Sequence, residues 1–476
     1  MSQSAPLDER VLEELRQIVG PDGLVIDPAE RAVYGYDATP GHRGRPDAVV
    51  FPTSTEQVRE VVALAARERV PVIPRGSGTN LSGGTVPVSG GIVLALTRMN
   101  RILEIDEANL TATVEPGVIT GQLHRAVEQR GLFYPPDPGS QAISTIGGNL
   151  AENAGGLRGL KYGVTGDYVM GLQVVLANGQ LIETGGKNVK DVAGYDLTRL
   201  FVGSEGTLGV ITRATLKLLP LPEHRRVALA IFSQLEAAAR AVSAIIAAHI
   251  IPATLEFLDR GTVEAVEEYA HVGLPAGAEA VLLLAQDGPR EAVDREIERM
   301  AEICRREGAK EVQVAASDAE GDRLMAARRY ALSALARRRP TTILEDATVP
   351  RSRLAEMVRA IQAAAERHRV EICTFGHAGD GNLHPTCLTD ERDREEMARV
   401  EAAFEEIFEA AVRLGGTITG EHGVGIAKSE YLPWRLSPAT LDVMRAVKQA
   451  LDPQGILNPG KIFTGQGRRR RVVHAA

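Results

Sequence analysis

Short apolar runs alternate with turns over the first 220 or so residues. AVVF (48–51), VPVIP (70–74) and LGVITRATLKLLP (208–220) have the length and apolar density of strands. Between the first two, VREVVALAARE (58–68) spaces its apolar residues for a helix packed on strands. Ser54, Thr55, Glu56 and Gln57 offer it a capping box. LQVVLANGQLIET (172–184) predicts a hairpin in which Asn178 and Gly179 supply positive φ angles. From about residue 223 the units lengthen. VALAIF, LEAAARAVSAIIAAH and ATLEFLD read strand, helix, strand, and AVLLLAQ, REAVDREIERMAEICRREG and KEVQVAAS repeat that order. Two such units with antiparallel connections predict a ferredoxin-like sheet with helices on one face. A helix-rich end follows, with DREEMARVEAAFEEIFEAAVRL, LDVMRAVKQAL and finally LDPQGILNPGK. The expected class is α+β, with domains at 1–222, 223–420 and 421–476.

Composition narrows the chemistry. The 476 residues suffice for two or three cores, and no apolar run approaches the ~20 residues that cross a bilayer. The N-terminus lacks a basic region followed by an apolar one, so a cytoplasmic location is expected. A net charge of −8 argues against a nucleic-acid surface. The run Arg468 to Arg471 is read as a solvated tail, with peripheral contact at the inner membrane face or with a partner as the alternative. Three cysteines, Cys304, Cys373 and Cys387, are too few and too scattered for an iron–sulfur cluster or a disulfide framework.

Glycine-rich segments carry the first candidate site. In VIPRGSGTNLSGG (72–84) successive amide N–H groups can converge on an anion, although no Lys-Ser/Thr pair makes it a Walker loop. PPDPGSQAISTIGGNLAENAGG (135–156) and KDVAGYDLTRLFVGSEGTLGVIT (190–212) add two further segments where backbone must pass close to something flat and polar. A second candidate is FGHAGDGNLHP (375–385), with His377 and His384 around a turn, and distant TITGEHGVG (417–425), with Glu421 and His422. Two imidazoles and a carboxylate leave coordination positions open on a divalent ion; a hydrogen-bonded histidine pair is the plainer reading. Adjacent residues on a strand face opposite ways, so Glu421 and His422 either address different partners or sit where the strand bends.

These motifs together resemble the vanillyl-alcohol-oxidase type of FAD-linked oxidoreductases, in the branch that holds the flavoprotein subunit of glycolate oxidase, D-lactate dehydrogenases and D-2-hydroxyglutarate dehydrogenase. The resemblance runs from about Tyr36 to Phe463. It implies a PCMH-type FAD-binding domain, a ferredoxin-like substrate or cap domain, and a C-terminal helical return to the flavin. It implies that Pro74, Arg75, Gly76, Ser77, Gly78, Thr79, Asn80 and Ser82 wrap the FAD pyrophosphate. Pro138, Gly139, Ser140, Ser144, Thr145, Gly147, Gly148, Asn149 and Gly155, with Glu205, Gly206, Gly209, Val210 and Ile211, would line the rest of the cofactor, and Asn458 would return to it. Thr79 stands where some relatives carry a tethering His or Cys, so non-covalent FAD is expected. The same resemblance implies that His377, His384 and Glu421 bind a divalent metal, zinc before manganese or iron(II).

The implied reaction is oxidation of a 2-hydroxyacid to the 2-oxoacid. A metal-chelated hydroxyl would lose its proton to His422, hydride would pass from C2 to flavin N5, and electrons would go to an external acceptor: a quinone, an electron-transferring flavoprotein, a cytochrome or an iron–sulfur partner subunit. Arg328, in RLMAARRYALSALARRR, falls where relatives grip the substrate carboxylate; a solvated helix face is the plainer alternative. Leu332 and Leu344 replace polar residues of hydroxyglutarate-using relatives, which favours a monocarboxylate such as glycolate or D-lactate. A homo-oligomer or complex subunit is expected. The competing readings are a flavin transferase of the alkyl-dihydroxyacetone-phosphate synthase type, a non-haem iron oxygenase, and a flavin subunit that relays electrons.

Overall fold

The computed structural model describes residues 7–275 and 277–463, and the basic run at 468–471 lies outside them. The chain divides into two compact units. The first gathers residues up to Ala154, Val164–Leu221 and the segment from Glu421; the second gathers Gly155–Gly163 and Pro222–Gly420.

In the first unit a four-stranded sheet has the order β1-β2-β4-β3: β1 (Leu24–Val25), β2 (Ala48–Val50), β3 (Val72–Arg75) and β4 (Ile92–Ala95). The two pairs that β4 makes, with β2 and β3, are parallel. Helix α1 (Thr55–Glu68) crosses from β2 to β3. Its Ser54 cap accepts the Gln57 N–H, but the Gln57 side chain reaches back to Thr53 N, one residue earlier than a capping box requires. Val58, Val61, Val62, Leu64 and Ala65 of α1 are buried in one core with Val50, Val72 and Leu94, and with Val175 and Val210 of a second sheet. Burying each such valine or leucine contributes about 1.5–3 kcal/mol. That second sheet runs β5-β6-β9-β7-β8: β5 (Ile102–Asp106), β6 (Thr111–Val114), β7 (Val169–Val175), β8 (Leu181–Gly185) and β9 (Val210–Lys217). The β7–β8 hairpin forms as expected, but its turn spans Leu176 to Gln180 and only Gly179 has positive φ (81°). Asn178 caps the turn instead, its Oδ1 accepting the Gln180 N–H. Helix α2 (Ile146–Glu152) starts from the second glycine-rich segment.

The second unit is built on one eight-stranded sheet, with the path β13-β10-β12-β11-β16-β17-β14 and with β15 pairing β17. Its first part is β10 (His224–Phe232), α3 (Leu235–Ala247), β11 (Thr254–Asp259), α4 (Arg260–Ala270), β12 (Ala280–Gly288), α5 (Arg290–Arg306) and β13 (Ala309–Val314). The order β13-β10-β12-β11, antiparallel throughout, is the ferredoxin-like arrangement expected. Helices cover both faces, however, not one. Val227, Leu229 and Ile231 of β10 pack with α4 and with α6 (Asp318–Leu335), while Ala228, Ala230 and Phe232 turn to α3 and α5. Strands apolar at both parities require this, since each face must be covered. The sheet then extends through β14 (Thr341–Leu344), β15 (Ala347–Thr348), β16 (Glu371–His377) and β17 (Asn382–Thr389), flanked by α7 (Leu354–His368) and α8 (Arg394–Arg413). Among the described residues no helix is long and apolar enough to cross a membrane.

Candidate functional site

In the first unit the loop leaving β3 has the shape and the donors of an anion cradle. Among the hydrogen bonds of the described residues, none uses the backbone N–H of Ser77, Gly78, Thr79 or Asn80 as donor, and all four residues are at least partly open to solvent. Gly78 has φ 72°, and a Cβ on Gly76 would stand 2.2 Å from Thr145 Oγ1. The loop thus lies against the second glycine-rich segment, where Ser77 Oγ donates to Ile143 O at 2.5 Å. Asn80 Nδ2 donates to Asp37 (2.6 Å) and the buried Arg75 to Tyr36 O and Thr85, so these two side chains hold the loop's ends. Unshared amide N–H groups in a curved, glycine-bearing loop are the chemistry a pyrophosphate needs.

The second segment offers the same feature at Gly139 and Ser140, whose N–H groups likewise donate to no acceptor among the described residues. Its side chains do something else. Ser144 Oγ pairs with Thr120 Oγ1, Asn149 Nδ2 donates to Thr120 Oγ1, and Thr145 caps α2 by accepting Gly148 N–H. All three are buried and shape the segment. Gly147 passes Pro116, and Gly206, next to Glu205, packs on Pro74. Gly209 lies on Val174, and Val210 sits in the apolar core while Ile211 continues β9. Pro138 and Ser82 are buried. Gly155 belongs with the second unit.

Asn458 is a pin. Its Nδ2 donates to Gly84 O (2.8 Å) and Glu205 O (2.7 Å), and its N–H donates to Val72 O, so the C-terminal segment joins the edge of β3. Glu205 in turn accepts the N–H groups of Val424 and Gly425. Those two bonds hold the strap that follows Glu421 and His422, which is irregular; the residues TITGEH make a single bridge at Thr417 and then bend. His422 Nε2 lies 4.0 Å from Glu421 Oε1. Gly423 has φ 81° and passes so close to Glu152 that a Cβ would meet its Oε2 at 2.2 Å. Burial, with Glu205 beside it, holds the Glu152 carboxyl protonated well above the usual range.

In the second unit the β16–β17 hairpin positions the two histidines. Phe375 pairs with His384 and His377 with Asn382, so both imidazoles project from one face of adjacent strands. Their ring centroids are 5.1 Å apart with planes at 90°, and the residues are 5% and 2% exposed. The turn needs Gly381 (φ 81°), where a Cβ would meet Val349 O at 2.1 Å. His377 Nδ1 is 2.7 Å from Glu256 Oε1, and Arg328 Nε donates to Glu256 Oε2 at 2.5 Å. Glu256 is 1% exposed. Burial alone would push its carboxyl up, but the His377 N–H and the Arg328 guanidinium beside it hold it below the usual carboxylate range. His384 Nδ1 faces Asp346 at 3.9 Å. Asp346 Oδ2 also accepts from Thr419 Oγ1 (2.8 Å) and Gly420 N–H (2.7 Å), and Gly420 packs on Asn382. Glu421 is bonded directly to that glycine.

Arg328 is therefore no solvated helix residue: it is 5% exposed, its Cζ lies 4.6 Å over the Phe375 ring, and its terminal Nη groups donate to no acceptor among the described residues. Leu332 and Leu344 pack against the core that contains Phe375. The cysteines are buried, with burial pushing the Cys304 and Cys387 thiols up to about 12 and Cys373 up as well. Such thiols are inert at neutral pH. Glu256 and Asp346 escaped the sequence reading. The available signal for the first was a carboxylate in the middle of the strand ATLEFLD, between Leu255 and Phe257.

Comparison with known proteins agrees with both halves. Residues 46–185 match the FAD binding domain and residues 221–462 the C-terminal domain of FAD linked oxidases. The glycolate oxidase subunit GlcD of Bacillus subtilis is 60% identical over 463 residues, 97% of this chain and 98% of that one. The D-lactate dehydrogenase of Anaerostipes hadrus is 38% identical, covering 91% of each. Solved structures of an alkyldihydroxyacetonephosphate synthase (TM-score 0.76, 22% identity, 96% of this chain and 87% of that one) and of p-cresol methylhydroxylase (0.79, 19%, 95% and 96%) share the fold. The chain belongs to the FAD-linked oxidase family, and it is a flavin-dependent oxidoreductase.

Proposed function

We propose that this chain oxidises a 2-hydroxymonocarboxylate of the glycolate or D-lactate type to the 2-oxoacid, using non-covalent FAD and a divalent ion. Bound FAD supplies an acceptor for the two electrons of the C2–H bond, and the ion, zinc before manganese or iron(II), a Lewis acid that acidifies the 2-hydroxyl. The loop 77–80 and the Gly139–Ser140 amides would hold the cofactor's pyrophosphate. His377 and His384, with Glu421, would hold the ion.

The observation that carries this reading is the histidine pair. Two buried rings converge on one face, and His377 Nδ1 meets Glu256 at 2.7 Å, the carboxylate–imidazole pairing that orients metal-ligating histidines. His422, next to Glu421, accepts the hydroxyl proton as general base. Arg328 grips the substrate carboxylate through its Nη fork, which Glu256 leaves unused. Leu332 and Leu344 offer no partner to a second carboxylate, which favours a monocarboxylate over hydroxyglutarate. The relative named as a glycolate oxidase subunit suggests that this chain too works in a complex, its electrons leaving through a separate polypeptide.

The test is anaerobic addition of glycolate, D-lactate, L-lactate and D-2-hydroxyglutarate to the purified flavoprotein. Bleaching of the flavin band by glycolate or D-lactate, and weakly if at all by hydroxyglutarate, is expected. Bound flavin that no hydroxyacid bleaches overturns the reading and favours a transferase.

A further inference from the structure

Glu256 lies in the middle of β11, where its register neighbour on β12 is Leu283 and every flanking side chain from Thr254 to Leu258 is buried. An unpaired carboxylate there would cost several kcal/mol, so its two partners explain its presence. Each oxygen has one: Oε1 meets His377 Nδ1 at 2.7 Å and Oε2 meets Arg328 Nε at 2.5 Å. An ionised carboxylate only accepts hydrogen bonds, so Nδ1 of His377 must carry the proton. A ring protonated there alone carries its lone pair on Nε2. On the other side, the guanidinium is fixed through Nε and by the Phe375 ring at 4.6 Å, and the Nη fork is not used by Glu256.

We infer that Glu256 is a positioning residue that fixes two groups at once, the tautomer of the metal-binding His377 and the orientation of the substrate-gripping Arg328. The roles of those two rest on the proposed function; the coupling through one carboxylate does not. A substrate site and a metal site that share a single buried anion cannot be tuned separately. Glu256→Gln keeps the size but offers one acceptor and one amide donor; Arg328 Nε can only donate and takes the oxygen, so the amide N–H faces His377 Nδ1 and drives that ring to its other tautomer. It should weaken metal binding about 10- to 100-fold and raise KM for the hydroxyacid.

Two measurements test this. The first reads the wild-type site: two-bond proton–nitrogen correlation spectra of the FAD-loaded, metal-free protein near pH 8.5, with His377→Gln serving only to assign the His377 signal, show which ring nitrogen is protonated. A proton on Nδ1 alone is expected; a proton on Nε2, or on both nitrogens, overturns the inference. The second is competition for zinc against a chromophoric chelator with Glu256→Gln and with Arg328→Met, in proteins that retain their FAD. Arg328→Met should leave the tautomer and zinc affinity unchanged while raising KM, and Glu256→Gln should change all three. Unchanged zinc affinity and an unchanged tautomer in folded Glu256→Gln also overturn it. If the wild-type chain binds no zinc yet shows the Nδ1 proton, lost in Glu256→Gln, the metal reading fails and the positioning role stands.

Discussion

Replacing Asn458 by alanine should detach the C-terminal return from the loops it holds. Its side chain is 2% exposed and donates to two buried carbonyls, Gly84 O at 2.8 Å and Glu205 O at 2.7 Å. Truncation removes both bonds and strands both acceptors, about 1–2 kcal/mol each. The backbone φ is 43°, which asparagine tolerates and alanine resists by about 1 kcal/mol. The sum is about 3–5 kcal/mol. Asn458→Gly relieves the backbone term and should cost about 2–4 kcal/mol, so the difference between the two variants isolates it. The assay is urea unfolding of the flavoprotein, followed by release of flavin fluorescence. With an m-value of about 2–3 kcal/mol/M, the midpoint of Asn458→Ala should fall by about 1–2.5 M. A fall under about 0.3 M would refute the reasoning, since it would mean that water or a neighbour satisfies those carbonyls.

Other substitutions probe the site itself. Gly78→Ala puts a Cβ at positive φ, 2.2 Å from Arg75 Nη2, and should purify with far less than one FAD per chain while keeping its far-ultraviolet circular dichroism; full flavin content would contradict the cradle. His422→Ala should keep FAD and metal but slow flavin reduction by about 10²–10⁴-fold, whereas His377→Ala should also lose the metal, both read by absorbance and elemental analysis. Burial pushes the Asp259 carboxyl from 3.8 up to about 6. The folded chain therefore holds a proton that the unfolded chain releases, and the stability this contributes is complete below about pH 4 and lost as pH rises through about 6. Asp259→Asn should accordingly cost less stability at pH 7 than at pH 4.5 in paired urea titrations; equal costs would contradict that sign.

The strands and helices of both units were legible because their periodicity is strong. The ferredoxin-like order followed from two repeats of strand, helix, strand. Coverage of both sheet faces was also readable, since VALAIF and AVLLLAQ are apolar at both parities, but α6 hid it. RLMAARRYALSALARRR looks like a solvated arginine-rich helix, and nothing local says that Arg328 is buried against a carboxylate 72 residues away. The same distance problem concealed Glu256 behind His377, 121 residues on. Sequence spacing reveals candidate residues that share a hairpin, as His377 and His384 do, and misses partners brought in by sheet pairing. Ser144, Thr145 and Asn149 show the converse. Their polarity suggested ligand contacts, yet their side chains are spent on Thr120 and on the cap of α2.

The central claim is that a metal held by His377, His384 and Glu421 is needed to oxidise a hydroxyacid at a bound flavin. Its most direct test is flavin bleaching by glycolate or D-lactate under anaerobic conditions, before and after chelator treatment that leaves FAD in place. Metal-depleted protein should bleach at least about 100-fold more slowly, recover on addition of zinc or manganese, and fail to recover in His377→Ala. Bleaching at the full rate in flavin-loaded, metal-free protein would contradict the account.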